Sequence, residues 1–71
     1  MHFSGALLRD ARHAGGWTQS ALARALGVAT LTVWRWEHGE AVPNADTLPP
    51  LAAALGIGIG DLFTADEQVP A

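Results

Sequence analysis

The chain of 71 residues contains no cysteine, and its four basic residues are all arginine, leaving no lysine. Without a thiol, neither a disulfide framework nor a thiolate metal site can hold the fold, so stability has to come from packing, helped by self-association. No apolar run approaches the length of a membrane span, and the N-terminal residues lack the basic-then-apolar order of a signal peptide. The expectation is a cytoplasmic protein with no membrane partner. The three histidines, His2, His13 and His38, stand at none of the spacings that metal ligands use, so neither a metal nor any other cofactor is expected. The inventory is also poor for catalysis. Ser4 and Ser20 are the only serines, and Gly56-Ile57-Gly58-Ile59-Gly60 lacks the strand and helix that would turn it into a phosphate cradle. A chain this short offers little concave pocket, so no catalytic residue is assigned and the chain is not expected to be an enzyme.

What is present is one small domain's worth of sequence with an uneven charge. The formal net charge is −3, where a nucleic-acid binder is expected to be basic. Residues 1–38, however, hold Arg9, Arg12, Arg24 and Arg35 against Asp10 and Glu37, and the five remaining carboxylates all follow residue 38. The positive half therefore predicts weak phosphate attraction rather than none.

Apolar residues recur at helical spacing along most of the chain. Phe3, Leu7, Leu8 and Ala11 predict a first helix over about 4–14, with Ser4 as its cap and Gly15-Gly16 as its stop. Trp17 is expected in the core, and Thr18 is expected to cap a second helix over 18–26 that carries Ala21, Leu22, Ala23 and Leu26 on one face. Gly27 is a helix stop that can take the left-handed conformation without steric cost. A third helix is predicted over 30–38; Ala29 has no side-chain acceptor, so either Thr30 caps a shorter helix, the favoured reading, or the start is uncapped. At 100° steps Val33 and Trp36 point inward, flanked by Thr32 and Glu37, while Leu31, Trp34, Arg35 and His38 point the other way. The second and third helices around Gly27 make a helix-turn-helix, whose outward face is the functional candidate. Leu48, Leu51, Ala52 and Leu55 predict a fourth helix over about 45–55, with a late or irregular start because Pro49 and Pro50 are tolerated only near its first turn. A short fifth helix is predicted over 59–63, followed by a frayed tail over 64–71.

These residues resemble the phage Cro and repressor type of helix-turn-helix DNA-binding domain, the Xre family. The likeness runs through Leu8-Arg9-Asp10-Ala11-Arg12, Trp17-Thr18-Gln19, Leu22-Ala23, Gly27-Val28, Val33 and Trp36-Glu37-His38-Gly39. It continues through Pro43, Thr47-Leu48, Leu51-Ala52, Ala54-Leu55-Gly56-Ile57 and Asp61-Leu62-Phe63. No single piece is specific, but the ordered set at this spacing is.

The resemblance implies a compact all-α five-helix bundle of the lambda-repressor-like type, with the third helix in the major groove of double-stranded DNA. Thr30, Leu31, Thr32, Trp34 and Arg35 would face base edges, Arg35 being suited to guanine and Leu31 to a thymine methyl. Thr18, Gln19, His38 and the loop amides after Gly39 would meet phosphates. Arg12 would pair with Glu37 inside the fold. Glu40 and Ala45 depart from the pattern, standing where many relatives carry a basic residue, and Trp34 fills an outward position that is commonly small or polar. The implied function is a sequence-specific transcriptional regulator, a repressor, acting as a homodimer on a palindromic operator, with Ile59, Leu62 and Phe63 in the dimer contact. The alternative is a protein-interaction module, an antitoxin or co-regulator, that uses the Trp34 and Leu31 face or the fourth and fifth helices to bind a protein partner.

Overall fold

The computed structural model describes residues 1–65. Its elements are β1 (His2–Phe3), α1 (Gly5–Ala14), α2 (Gln19–Leu26), α3 (Thr30–Glu37), α4 (Leu48–Leu55), a 3₁₀ turn (Ile59–Leu62) and β2 (Phe63–Thr64). The fold is thus all-α and helix-turn-helix in plan, with four α-helices and one 3₁₀ turn where five helices were predicted. The predicted fifth helix shrinks because glycines precede and interrupt it, and because the Asp61 carboxylate accepts from the amide of Gly58 at 3.1 Å and closes a tight turn. Phe63 then becomes extended, and β2 pairs antiparallel with β1 in the register His2 to Thr64 and Phe3 to Phe63. The two phenyl rings meet edge to face with centroids 6.0 Å apart. Thr64, assigned to the predicted tail, is thus paired in β2, and the rest of that tail from residue 66 lies outside the described residues.

Caps fix where the helices begin. The Ser4 hydroxyl accepts from the amide of Leu7 at 3.2 Å, which makes Ser4 the cap of α1 and Gly5 its first residue. The Thr18 hydroxyl accepts from the amide of Ala21 at 3.0 Å and starts α2 one residue later in the same way. Of the two starts open to helix α3, the uncapped one is found and the favoured Thr30 cap is not: Ala29 occupies the cap position with no side-chain hydrogen bond, and Thr30 is already helical. Its last helical residue is Glu37, with His38 at the C-cap and Gly39 left-handed.

Helix α4 starts late, as its prolines predict: Leu48 is the first helical residue, three positions after the earliest bound of about 45. Asn44 ends the preceding loop by accepting from the amide of Thr47 at 2.9 Å and from its hydroxyl at 2.8 Å. With Leu48 as the first helical residue, Pro49 and Pro50 both fall in the first turn, where an amide has no intrahelical partner to lose. The ladder starts directly behind them, with the Leu51 amide donating to the carbonyl of Thr47 at 3.0 Å.

The core is a single cluster of Leu8, Leu22, Ala23, Val33, Trp36, Leu51, Leu55 and Leu62, drawn from all four helices and the 3₁₀ turn. Trp17, Leu26, Val28 and Phe63 pack around it while half-buried. Helices α1 and α3 meet most closely at Gly5. A Cβ placed there would stand 2.5 Å from the carbonyl oxygens of both Trp36 and Glu37, well inside contact distance. The end of α3 is therefore seated against bare backbone at the start of α1, and backbone cannot yield as a flexible side chain does. Gly5→Ala is expected to lower stability by about 1–3 kcal/mol, the usual cost of overpacking. Urea denaturation measures this, and an unchanged midpoint would contradict the close approach.

Candidate nucleic-acid interface

Helix α3 is held by a buried polar network. Arg12 of α1 and Glu37 of α3 are only 8% and 7% exposed. Arg12 Nε donates to Glu37 Oε2 at 2.5 Å and Arg12 Nη2 donates to Oε1 at 3.1 Å, a two-pronged pair that suits the planar guanidinium. The remaining arginine nitrogen, Nη1, donates to the carbonyl of Trp17 at 2.9 Å. Gln19, in the first turn of α2, donates its amide to Glu37 Oε1 at 3.1 Å. No buried side-chain polar atom among the described residues is left without a partner. Burial raises the pKa of Glu37, but the hydrogen bonds from Arg12 and Gln19, with the charges of Arg12 and Arg9, outweigh it and hold the carboxyl below its ordinary 4.5.

With Val33, Trp36 and Glu37 turned inward, the rest of α3 faces outward. Leu31 is 53% exposed and Arg35, one turn further on, is exposed beside it. Thr30 is exposed and its hydroxyl reaches the Ser20 hydroxyl at 3.4 Å, linking the starts of α3 and α2. Thr32 is half-buried. Trp34 is half-buried too, because its indole stacks on the imidazole of His38. Arg9 and Arg24 are exposed, so with Arg12 spent on Glu37 they join Arg35 as the arginines open to a polyanion.

The phosphate candidates divide. Thr18 and Gln19 line a groove of about 510 Å³ together with Arg12, His13, Trp17, Ser20 and Thr30, where α1 ends and α2 and α3 begin. Gln19 spends one amide hydrogen on Glu37 and keeps the other. His38 is exposed at the end of α3. Of the loop amides after Gly39, that of Glu40 is taken, since it donates to the carbonyl of Arg35 at 2.9 Å.

The predicted dimer residues do not form one patch. Leu62 is fully buried in the core and is not available to a second chain; its neighbour Phe63 is half-buried against Phe3. Of the three, Ile59 is the one on the surface, 40% exposed. Ile59 opens the 3₁₀ turn at the surface, whereas Leu62 closes it inside the core cluster, where it packs with Leu8 and Leu55. The Gly5 contact, the Gln19 bond to Glu37 and the stacking of Trp34 on His38 were not found from sequence. Each joins side chains or backbone whose spacing carries no signal of its own.

An inward-anchored α3 behind an α2 of matching length, joined by a left-handed Gly27 (φ 72°), defines a helix-turn-helix protein. The chain belongs to the helix-turn-helix domain family, which matches residues 5–63. Among solved structures it is similar to the P22 c2 repressor in complex with a synthetic operator, at 29% identity and TM-score 0.82, covering 93% of this chain and 100% of that one. It is similar to the restriction-modification controller protein C.AhdI from Aeromonas hydrophila, at 34% identity and TM-score 0.77, covering 83% of this chain and 89% of that one. A third likeness is to hydroxypropylphosphonic acid epoxidase from S. wedmorenis, at 36% identity and TM-score 0.79, covering 84% of this chain and 32% of that one. The chain thus spans about a third of the epoxidase's length. Comparison with curated protein sequences gave no match. No helix among the described residues is long and apolar enough to cross a membrane.

Because Glu37 ionises at a lower pH in the folded chain than in the unfolded one, its contribution to stability is fully present above pH 4.5 and is lost as the pH falls through the depressed value. Denaturation midpoints are expected to fall on that acid limb, and Glu37→Gln is expected to flatten its share of the fall. At neutral pH, Arg12→Met strands a buried carboxylate and is expected to cost about 3–5 kcal/mol, most of which the double change with Glu37→Leu recovers. A double variant no more stable than the single one would contradict this account.

Proposed function

We propose that the chain is a sequence-specific, DNA-binding transcriptional regulator that lays α3 in the major groove. The observation that carries this reading is the divided surface of α3: Val33, Trp36 and Glu37 fasten one side, and Leu31 and Arg35 stand exposed on the other. Arg35 offers the paired donors that match guanine O6 and N7, and Leu31 offers apolar contact to a thymine methyl. Thr30 and Thr32 border them. Thr18 and the free amide hydrogen of Gln19, at the start of α2, suit a phosphate oxygen. The likeness to the P22 c2 repressor, covering that protein's full compared length in a complex with operator DNA, supports the same reading.

One domain of this size reads few base pairs, so useful affinity calls for two copies on half-sites about one helical turn apart. The proposed form is a homodimer on a palindromic operator, acting as a repressor, with Ile59 in the contact between copies. The domain itself is proposed to be non-catalytic. The second reading, a module that binds a protein partner, is favoured by the exposure of Val42 (63%) and Ile59 (40%).

Selection of bound duplexes from a random pool tests the proposal. A recovered palindrome is expected, and on it Arg35→Ala should weaken binding by about 1–3 kcal/mol and relax preference at one base pair of each half-site. Binding should fall steeply between roughly 50 and 200 mM salt through counterion release. A complex with protein that ignores salt, and no enriched duplex, would favour the second reading.

A further inference from the structure

The outward face of α3 ends in a pair of rings that base reading does not use. The Trp34 indole and the His38 imidazole stack with centroids 4.0 Å apart and planes 19° apart. His38 Nδ1 also lies 2.8 Å from the carbonyl oxygen of Trp34. A carbonyl oxygen only accepts, so Nδ1 is the nitrogen that carries hydrogen. Stack and hydrogen bond together fix the tilt of the imidazole and its tautomer, leaving Nε2 as the nitrogen free to meet a ligand on an exposed residue.

The chemistry of Nε2 then depends on a single proton. In the neutral ring, with hydrogen on Nδ1, Nε2 presents a lone pair and cannot bond a phosphate oxygen. In the imidazolium it becomes an N–H donor with a positive charge, and the bond from Nδ1 to Trp34 is kept. We propose that His38 is a phosphate contact made only in its doubly protonated form, and that Trp34 is the positioning residue that holds it. The inference rests on the DNA-binding reading above and deepens it: the ligand is one backbone phosphate for each copy of the chain, bound with uptake of one proton. It also reassigns Trp34 from the reading of base edges to the backing of this contact.

Among the described residues, no charged group competes for the ring through a hydrogen bond. Helices α1 and α2 are the elements that pack most on α3. On α1, Arg9 and Arg12 act on the Glu37 carboxylate, Asp10 is exposed, and His13 lies against the Arg12 guanidinium at 3.3 Å. On α2 the charged residue is Arg24. Along the chain His38 is flanked by Arg35 and Glu40, with Glu37 turned inward onto Arg12. The hydrogen bond found for the His38 ring, among the described residues, is that to Trp34.

The test is binding of the full chain to random-sequence duplex DNA, which suffices because a phosphate contact is blind to sequence. Affinity is read by fluorescence anisotropy across pH 5 to 8, the range in which histidine ordinarily changes charge, and at several salt concentrations. Wild-type affinity is expected to rise severalfold toward the acid end, with the log–log salt slope steeper there by about 0.9 for each bound copy. His38→Gln should abolish both changes, and Trp34→Leu should shrink the acid gain. A pH-independent wild type overturns the proposal, as does a His38→Gln variant that keeps the full pH dependence, or a dependence removed by His13→Gln instead. An undiminished acid gain in Trp34→Leu overturns the positioning role. If the wild type binds no duplex at low salt at any pH, the DNA reading itself fails and this inference falls with it.

Discussion

The pairing of Arg12 with Glu37 is the constraint on which the placement of α1, α2 and α3 turns. Two opposite charges have left water together, and the guanidinium reaches α1, α3 and the chain between α1 and α2 in one step. Gln19 then adds the start of α2 to the same carboxylate. Three elements are thereby indexed to one side chain, so the angle at which α3 meets the surface is set by geometry as well as by apolar packing. Greasy contacts alone tolerate sliding, whereas a two-pronged ion pair tolerates very little. An arginine is well chosen, since a lysine could serve one of these acceptors at a time with the same precision.

That choice has an electrostatic corollary. A chain with four arginines that commits one of them to its interior has given up a quarter of its permanent positive charge to rigidity. Arg9, Arg24 and Arg35 stay outside, against carboxylates gathered mostly in the second half of the sequence. Attraction to a polyanion is correspondingly modest, and in the proposed reading discrimination comes from the shape of α3 and from Leu31 and Arg35. A histidine placed at the end of the same helix fits this economy, because its charge is present under some conditions and absent under others.

How much of this was legible in the sequence depends on the range of the interaction concerned. The helices were readable because periodic apolar residues, Ser4, Thr18 and Gly27 act within a turn or two of themselves. The inward and outward sides of α3 followed from counting angles. Pro49 and Pro50 announced a late start to α4, and Thr47 is its cap residue; the Asn44 turn that leads into it was not legible. The errors lie where the structure is decided by distant neighbours. Helix α3 begins at an uncapped Ala29 because α1 and α2 hold it from the side. The last helix fails because Phe63 finds Phe3, some sixty residues earlier, and Leu62 is drawn into the core rather than left for a second chain. Of the candidate interface, the outward exposure of Leu31 and Arg35 was legible. The stack of Trp34 on His38 was not, although the spacing of four residues on one helical face permits it.

The short strand pair also bears on the order in which the chain can fold. His2 and Thr64, 62 positions apart, share a hydrogen bond, and the Ser4 amide donates to the carbonyl of Leu62 at 2.8 Å. Closing so long a loop from an open chain is entropically unfavourable, but the cost depends only on the logarithm of loop length and is already met once Leu8 and Leu62 share a core. The strands then join with little further loss of freedom. They belong to the end of folding rather than its nucleus: a fastening of the two ends of the described chain that speeds nothing and resists fraying.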